Sequence, residues 1–159
     1  MGSTHRLYSS EERRRRDASR WTLVQAILAP VQFVIFLVSL ALVLRTLSTG
    51  FGAEAADASV LLKTAALAAI MITGSIWEKD VFGRWLFAGP FFWEDVVSMG
   101  VIALHTIYVA MLLGGYGTVE QRLTVALAGY LVYVVNAAQF LLKLRAARLQ
   151  GSPSLATTA

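Results

Sequence analysis

The sequence predicts an all-α integral membrane protein, a bundle of four transmembrane helices with both termini cytoplasmic. Three observations carry this. Of 159 residues, 57% are hydrophobic and only 15% charged, too apolar a mixture for a soluble domain of this size. Four apolar segments are each long enough to cross a hydrocarbon core of about 30 Å as a helix. The basic residues gather on one side of those segments. A formal charge of +4 suits nucleic acid as a number, but the cations sit in tails and at segment ends rather than along one polar face, so no nucleic-acid partner is expected and the lipid bilayer is. The absence of cysteine excludes disulfides, thiolate metal sites, iron–sulfur clusters and cysteine nucleophiles. His5 and His105, the two histidines, make a bis-histidine haem an unsuitable reading.

Residues 1–20 form a basic tail with Arg6, Arg13 to Arg16 and Arg20, whose first half reads as solvated and whose second half reads as a juxtamembrane anchor. The arginine run resembles an export signal in spelling alone. The long apolar segment that follows shows no small-residue cleavage site and is read as retained.

The first span covers residues 21–44. Gln25, Gln32 and Ser39 recur every seven residues along it, close to one helix face, and Pro30 is expected to kink it. Gly50-Phe51-Gly52 then leads into a short external loop with Glu54 and Asp57. The second span, residues 58–76, places Thr64, Met71, Gly74 and Glu78 on one face, and its alanines suit close packing.

The connection over residues 77–95 is the chemically unusual stretch. It holds Trp77-Glu78, an aromatic link with Gly83, Gly89 and Pro90, and then Trp93-Glu94-Asp95. Carboxylates and tryptophans therefore meet at one membrane surface.

The third span, residues 92–113, carries Glu94, Ser98, Val101, His105 and Tyr108 at i, i+4, i+7, i+11 and i+14. Glu94 and His105 then lie within about 20° of each other around the helix and about 16 Å apart along it. Gly114-Gly115-Tyr116-Gly117 breaks the helix, and residues 118–142 make the fourth span, with Asn136, Gln139 and Lys143 near its end. Residues 21–148 thus form the membrane domain, and 149–159 a disordered tail.

Lys and Arg number six in the N-terminal tail, two in the aromatic link and three at the C-terminal end, against Arg45, Lys63 and Arg122 opposite. The positive-inside rule puts tails and link in the cytoplasm. The polar side chains then fall in the cytoplasmic half of the bundle, and the outer half is expected to be nearly all Leu, Val, Ala and Ile.

Each polar residue has a plainer explanation. Glu78, Lys79, Asp80 and Asp95 can be solvated interfacial charges, which is the better reading for Lys79 and Asp80. His105, Asn136 and Gln139 can be interhelical fasteners, and Trp77 and Trp93 interfacial anchors. Glu78 and Glu94 stand out because each follows a tryptophan at a helix end and projects onto its helix's polar stripe.

Several strings carry a family resemblance: Trp21-Thr22-Leu23-Val24-Gln25 with Ala29-Pro30 and Gln32-Phe33, Ile76-Trp77-Glu78-Lys79 with Phe82-Gly83, and Phe92-Trp93-Glu94-Asp95-Val96-Val97-Ser98. Leu104-His105-Thr106 and the run from Asn136-Ala137-Ala138-Gln139 to Lys143-Leu144-Arg145 extend it. Over residues 8–149 the chain resembles the 3-vinyl bacteriochlorophyllide hydratases, called 2-vinyl in older ring numbering. The resemblance implies addition of water to the C3 vinyl group of a magnesium chlorin, giving a 1-hydroxyethyl group on the way to bacteriochlorophyll a. Other enzymes of that pathway are then natural partners.

The resemblance brings no residue roles, so these follow from chemistry. Hydration of a conjugated vinyl group needs a proton on the terminal carbon, water on the inner carbon, a base for that water and a flat apolar slot. It needs no redox cofactor, and the only metal expected is the substrate's magnesium. Glu94 or Glu78 is the expected proton donor, with the other or Asp95 as base. His105 is expected as an axial ligand to that magnesium or as a proton relay. Gln25, Gln32, Trp77, Trp93, Ser98, Asn136, Gln139 and Lys143 are expected to surround the substrate, with Lys143, Arg145 or Arg84 near its propionate. Two other classes fit the same sequence: a pigment-binding module without chemistry, and a structural subunit of a photosynthetic assembly.

Overall fold

A computed structural model describes residues 6–151. Among these, five α-helices are present: α1 (Ser10–Ala18), α2 (Arg20–Thr49), α3 (Ala53–Phe82), α4 (Phe92–Gly114) and α5 (Val119–Gly151). The last four are long and apolar enough to cross a membrane, which makes the chain a multi-pass membrane protein. They alternate in direction, with α2 packed along α3 and α4 along α5 as two extensive hairpins. The seams between the hairpins, α3 against α4 and α2 against α5, are much lighter.

The helices outrun the apolar segments. Polar residues at a helix end reach water without breaking backbone pairing, so the helix continues where hydropathy stops. The expected external loop is therefore only a turn at Gly50 and Gly52, both with positive φ (74° and 88°), and Glu54 and Asp57 belong to the first turns of α3. α2 runs through Pro30 as one helix. At the other end α5 continues to Gly151, through residues expected to be disordered; residues 152–159 lie outside the described residues.

The N-terminal stretch is a docked strap. Ser9 and Glu12 form a reciprocal capping box that starts α1, with hydrogen bonds of 3.1 and 2.7 Å. Tyr8 is only 3% exposed, stacked on Phe82 at 5.8 Å, with the Arg16 guanidinium 4.8 Å from its ring centre. Burying such a ring contributes about 2 kcal/mol, which corrects the expectation that this part of the tail is solvated. The Leu7 backbone N–H donates to Gln150 Oε1 at 3.0 Å, so both ends of the described chain meet at one end of the bundle, called here the terminal end.

The far half of the bundle also departs from expectation. It holds an apolar core around Phe36, Val43, Val60, Leu67, Leu123 and Tyr130, but polar groups are threaded through it. Ser39 bonds Ser59 at 2.7 Å and the Tyr130 hydroxyl at 2.5 Å. Asp57 takes both Arg122 Nη2 (2.7 Å) and Nε (3.0 Å), and the Tyr108 hydroxyl donates to the same carboxylate. Lys63 is fully buried, its amine 3.3 Å from the centre of the Tyr133 ring and without a hydrogen-bond partner. Each polar residue is spaced about a turn apart on an inward stripe, where the surrounding leucines hide it from a hydropathy sum. Lys63 belongs to such a stripe, Ala56, Val60, Lys63 and Leu67, whose spacing is the signal that would have placed it inside.

Candidate active site

The terminal end is built around the link between α3 and α4. Gly83, with φ of 77°, ends α3 with its N–H on the Lys79 carbonyl. Phe87 then adopts a left-handed conformation, φ 58°, uncommon for a bulky residue. Two acids hold this bend. Asp95 Oδ2 accepts the Phe87 N–H at 2.7 Å, and Glu78 Oε2 accepts the next one, from Ala88, at 3.1 Å. The Glu78 and Asp95 carboxyl groups lie close together, and both residues are buried. Two bare carboxylates so placed repel, which favours a proton held between them. After a short 3-10 turn at Gly89–Phe91, α4 begins with Glu94 and Asp95 in its first turn, where the helix N-terminus favours negative charge.

Glu94 has different surroundings from the other two carboxylates. Its Oε1 is 3.6 Å from the Lys143 ammonium, which also donates to the Pro90 carbonyl and lies 5.8 Å from the Phe91 ring centre. Its Oε2 is buried without a partner. A groove of about 290 Å³ runs alongside, lined by Glu94, Gln139, Leu142, Lys143 and Ala146, and Gln139 Oε1 is likewise buried and unpaired. Asn136 fixes the floor: its amide N donates to the Glu94 carbonyl at 2.8 Å, and its Oδ1 accepts the Ser98 hydroxyl at 3.1 Å.

The residues expected around a substrate divide accordingly. Glu94, Gln139 and Lys143 line one groove, Asn136 and Ser98 hold its base, and Glu78 and Asp95 form a buried pair at the same end of the bundle. Gln25 and Trp77 are committed between α2 and α3, Gln25 to Thr73 at 2.6 Å and the Trp77 indole to Thr22 at 2.9 Å. Gln32 is buried with an unpaired Oε1. Trp93 points outward, 68% exposed. His105 lies deeper, in a second groove between α3 and α4. Lys63, which charge counting assigned to the external surface, is a buried group. No cluster of His, Cys, Asp and Glu suited to a metal ion occurs among the described residues.

Residues 8–146 match the family model described as 2-vinyl bacteriochlorophyllide hydratase. Two curated relatives carry that name. The protein from Rhodobacter capsulatus is 60% identical over 152 residues, covering 96% of this chain and 88% of the relative. The protein from Cereibacter sphaeroides is 61% identical over 144 residues, covering 91% and 89%. No solved structure matches.

Proposed function

The chain belongs to the 2-vinyl bacteriochlorophyllide hydratase family, and from that premise we propose that it is a hydro-lyase hydrating the vinyl group of a magnesium chlorin at the Glu94 groove. The product carries a 1-hydroxyethyl group at that position, a step of bacteriochlorophyll biosynthesis. The observation that carries the site is Glu94 itself, a buried carboxylate with one oxygen facing Lys143 and the other free beside an apolar groove.

The groove is too small for a whole macrocycle. It takes the ring edge bearing the vinyl group, while the remaining face lies against lipid-facing apolar helix surface such as Leu142 and Ala146. Glu94 is the one carboxylate among the lining residues, so it is the group that meets the reacting carbons. The proton held between Glu78 and Asp95 passes to Glu94 as the substrate displaces water, and Glu94 delivers it to the terminal vinyl carbon. Positive charge appears on the inner carbon, where the ring delocalises it, and Lys143 faces the carboxylate that remains. A water that donates a hydrogen bond to Gln139 Oε1 adds to the inner carbon, forming the C–O bond, and its surplus proton returns through Glu94 to the buried pair. One water is consumed and no electrons change hands.

The charge distribution supports placing the terminal end, with both tails, in the cytoplasm of a bacterial inner membrane. Arg6, Arg13, Arg14, Arg20, Arg84 and Arg145 surround that end, whereas the far end has Arg45 and the Asp57-paired Arg122, Lys63 being internal. Membranes carrying the protein, incubated with vinyl chlorophyllide in water enriched in heavy oxygen, test the reading. Label is expected in a hydroxyethyl product, and the Glu94→Gln variant is expected to give none. Unlabelled product, or full turnover by Glu94→Gln, overturns it.

A further inference from the structure

Glu94 is gripped by α5 at two points. Its carboxylate faces the Lys143 ammonium at 3.6 Å, and its backbone carbonyl accepts an N–H from the Asn136 amide at 2.8 Å. Asn136 and Lys143 stand seven residues apart on α5, so they share nearly one helix face and lie about 10 Å apart along the axis. The direction of the two helices explains that spacing. Side chains lean toward the N-terminus of their own helix, so the Glu94 carboxylate leans from its backbone toward the terminal end, where the antiparallel α5 presents Lys143 beyond Asn136. Gln139 falls between them in sequence and lines the groove with Glu94 and Lys143.

An amide suits the first of these points. Asn136 is 8% exposed, and while its Nδ2 donates to the Glu94 carbonyl its Oδ1 accepts the Ser98 hydroxyl at 3.1 Å, so one side chain closes on groups a turn apart on α4. The neighbouring part of the seam is held by close packing, with Gly100 against Val132 and Gly129 against Leu104. Such contacts draw two helices together without fixing how far one slides along the other, whereas directional bonds from a buried polar side chain do fix it. The Asp57 clamp at the far end ties α4 and α5 by way of α3, which leaves their relative height beside the groove to Asn136.

We propose that Asn136 is a positioning residue for the hydration, which sets the height of α5 against α4 and so keeps Lys143 and Gln139 opposite the Glu94 carboxylate. This rests on the hydratase reading with Glu94 as the acid. Asn136 touches no reacting atom and acts through Glu94. A slip of α5 by one residue's rise, about 1.5 Å, moves Lys143 and Gln139 together past a carboxylate that stays with α4, and a misplacement of about 1 Å at a reacting group costs on the order of 100-fold in rate.

The test uses the full-length protein in lipid nanodiscs and reads turnover and helix register separately. Asn136→Leu removes the tie without stranding its partners, because the Ser98 hydroxyl also donates to the Glu94 carbonyl, at 2.8 Å. Its kcat for labelled hydroxyethyl product is expected to fall by about 100-fold while KM stays within about threefold of wild type, and the smaller Asn136→Ala should behave alike. Register is read by a cysteine pair, Gly100→Cys with Val132→Cys, in a chain that has no cysteine of its own, since a Cβ at Gly100 lies 3.8 Å from Val132 Cγ1. A disulfide demands close and specific geometry, so oxidation of that pair is expected to be about tenfold slower once Asn136→Leu is added. Wild-type kcat in Asn136→Leu, or a lost kcat with the cross-linking rate unchanged, overturns the positioning role and leaves the hydratase reading standing. Absence of labelled product from the wild-type protein overturns the hydratase reading itself, whatever the register shows.

Discussion

The Lys143 ammonium stands 3.6 Å from Glu94 Oε1, while Glu94 Oε2, buried in the same carboxylate, has no partner. The two oxygens therefore differ in their surroundings: one faces a lysine that also holds the Pro90 carbonyl, and the other, in the proposed reaction, is the one that carries the proton. Replacing Lys143 by Met removes the cation that faces the carboxylate during proton transfer. Turnover is expected to fall by about 100-fold, the size usual for loss of one positioned charge-stabilising group. Lys143→Arg should recover part of it. Initial rates of hydroxyethyl product formation in isolated membranes decide this, and equal rates for Lys143→Met and wild type would count against the arrangement.

The bend at Phe87 makes a second prediction, about stability. Asp95 and Glu78 satisfy two consecutive backbone N–H groups that would otherwise be buried and unpaired. Truncating either acid to Ala strands one of them, at an expected loss of about 1–3 kcal/mol. Asp95→Asn keeps an acceptor for the Phe87 N–H and should stay close to wild type in thermal unfolding in detergent, while losing the proton shared with Glu78 and hence activity. A normal rate in Asp95→Asn would show that the pair holds the loop and takes no part in proton transfer.

At the far end, Arg122 grips Asp57 through two nitrogens, with both side chains largely sequestered, and Tyr108 joins them from α4. This clamp ties α3, α4 and α5 together far from the reacting groups. Arg122→Met leaves a part-buried charged carboxylate without its partner and should lower stability by about 1–3 kcal/mol. The double variant with Asp57→Leu should regain most of that loss. The midpoint of denaturant unfolding is the measurement, and the single variant's kcat, read at a temperature where it remains folded, should match wild type.

Lys63 gives the opposite expectation. Its amine rests on the Tyr133 ring and makes no hydrogen bond, so it contributes a buried polar head with little return. Lys63→Met keeps the volume and removes that head, and thermal stability is expected to hold or rise. A drop of more than about 2 kcal/mol would show that the cation–π contact outweighs desolvation.

The four spans and the inward stripe of α4 were legible in the sequence because they depend on local periodicity. Glu94, Ser98, Val101, His105 and Tyr108 are all buried on α4, and each is placed there by helix geometry alone. The pairing of Asn136 with Ser98 was half legible, since both lay on polar stripes but their meeting is a matter of packing. What the sequence concealed was tertiary. Glu78 and Asp95 were expected as an acid or a base, but their buried pairing was hidden, because nothing local announces the left-handed Phe87 that turns two backbone donors toward them. Lys63 and Asp57 looked external because charge was counted by segment end rather than by helix face. Tyr8 looked solvated because its aromatic partners, Phe82 and Phe91, lie more than seventy residues away.

The tie between Leu7 and Gln150 has a consequence for how the protein is made. During synthesis Tyr8 can meet Phe82 and Phe91 once the α3–α4 link exists, but the Leu7 N–H has no acceptor until α5 has been made. Closure of that end is therefore completed only with the last helix. A chain stopped short of Gln150 keeps its four spans but loses the acceptor for the Leu7 N–H.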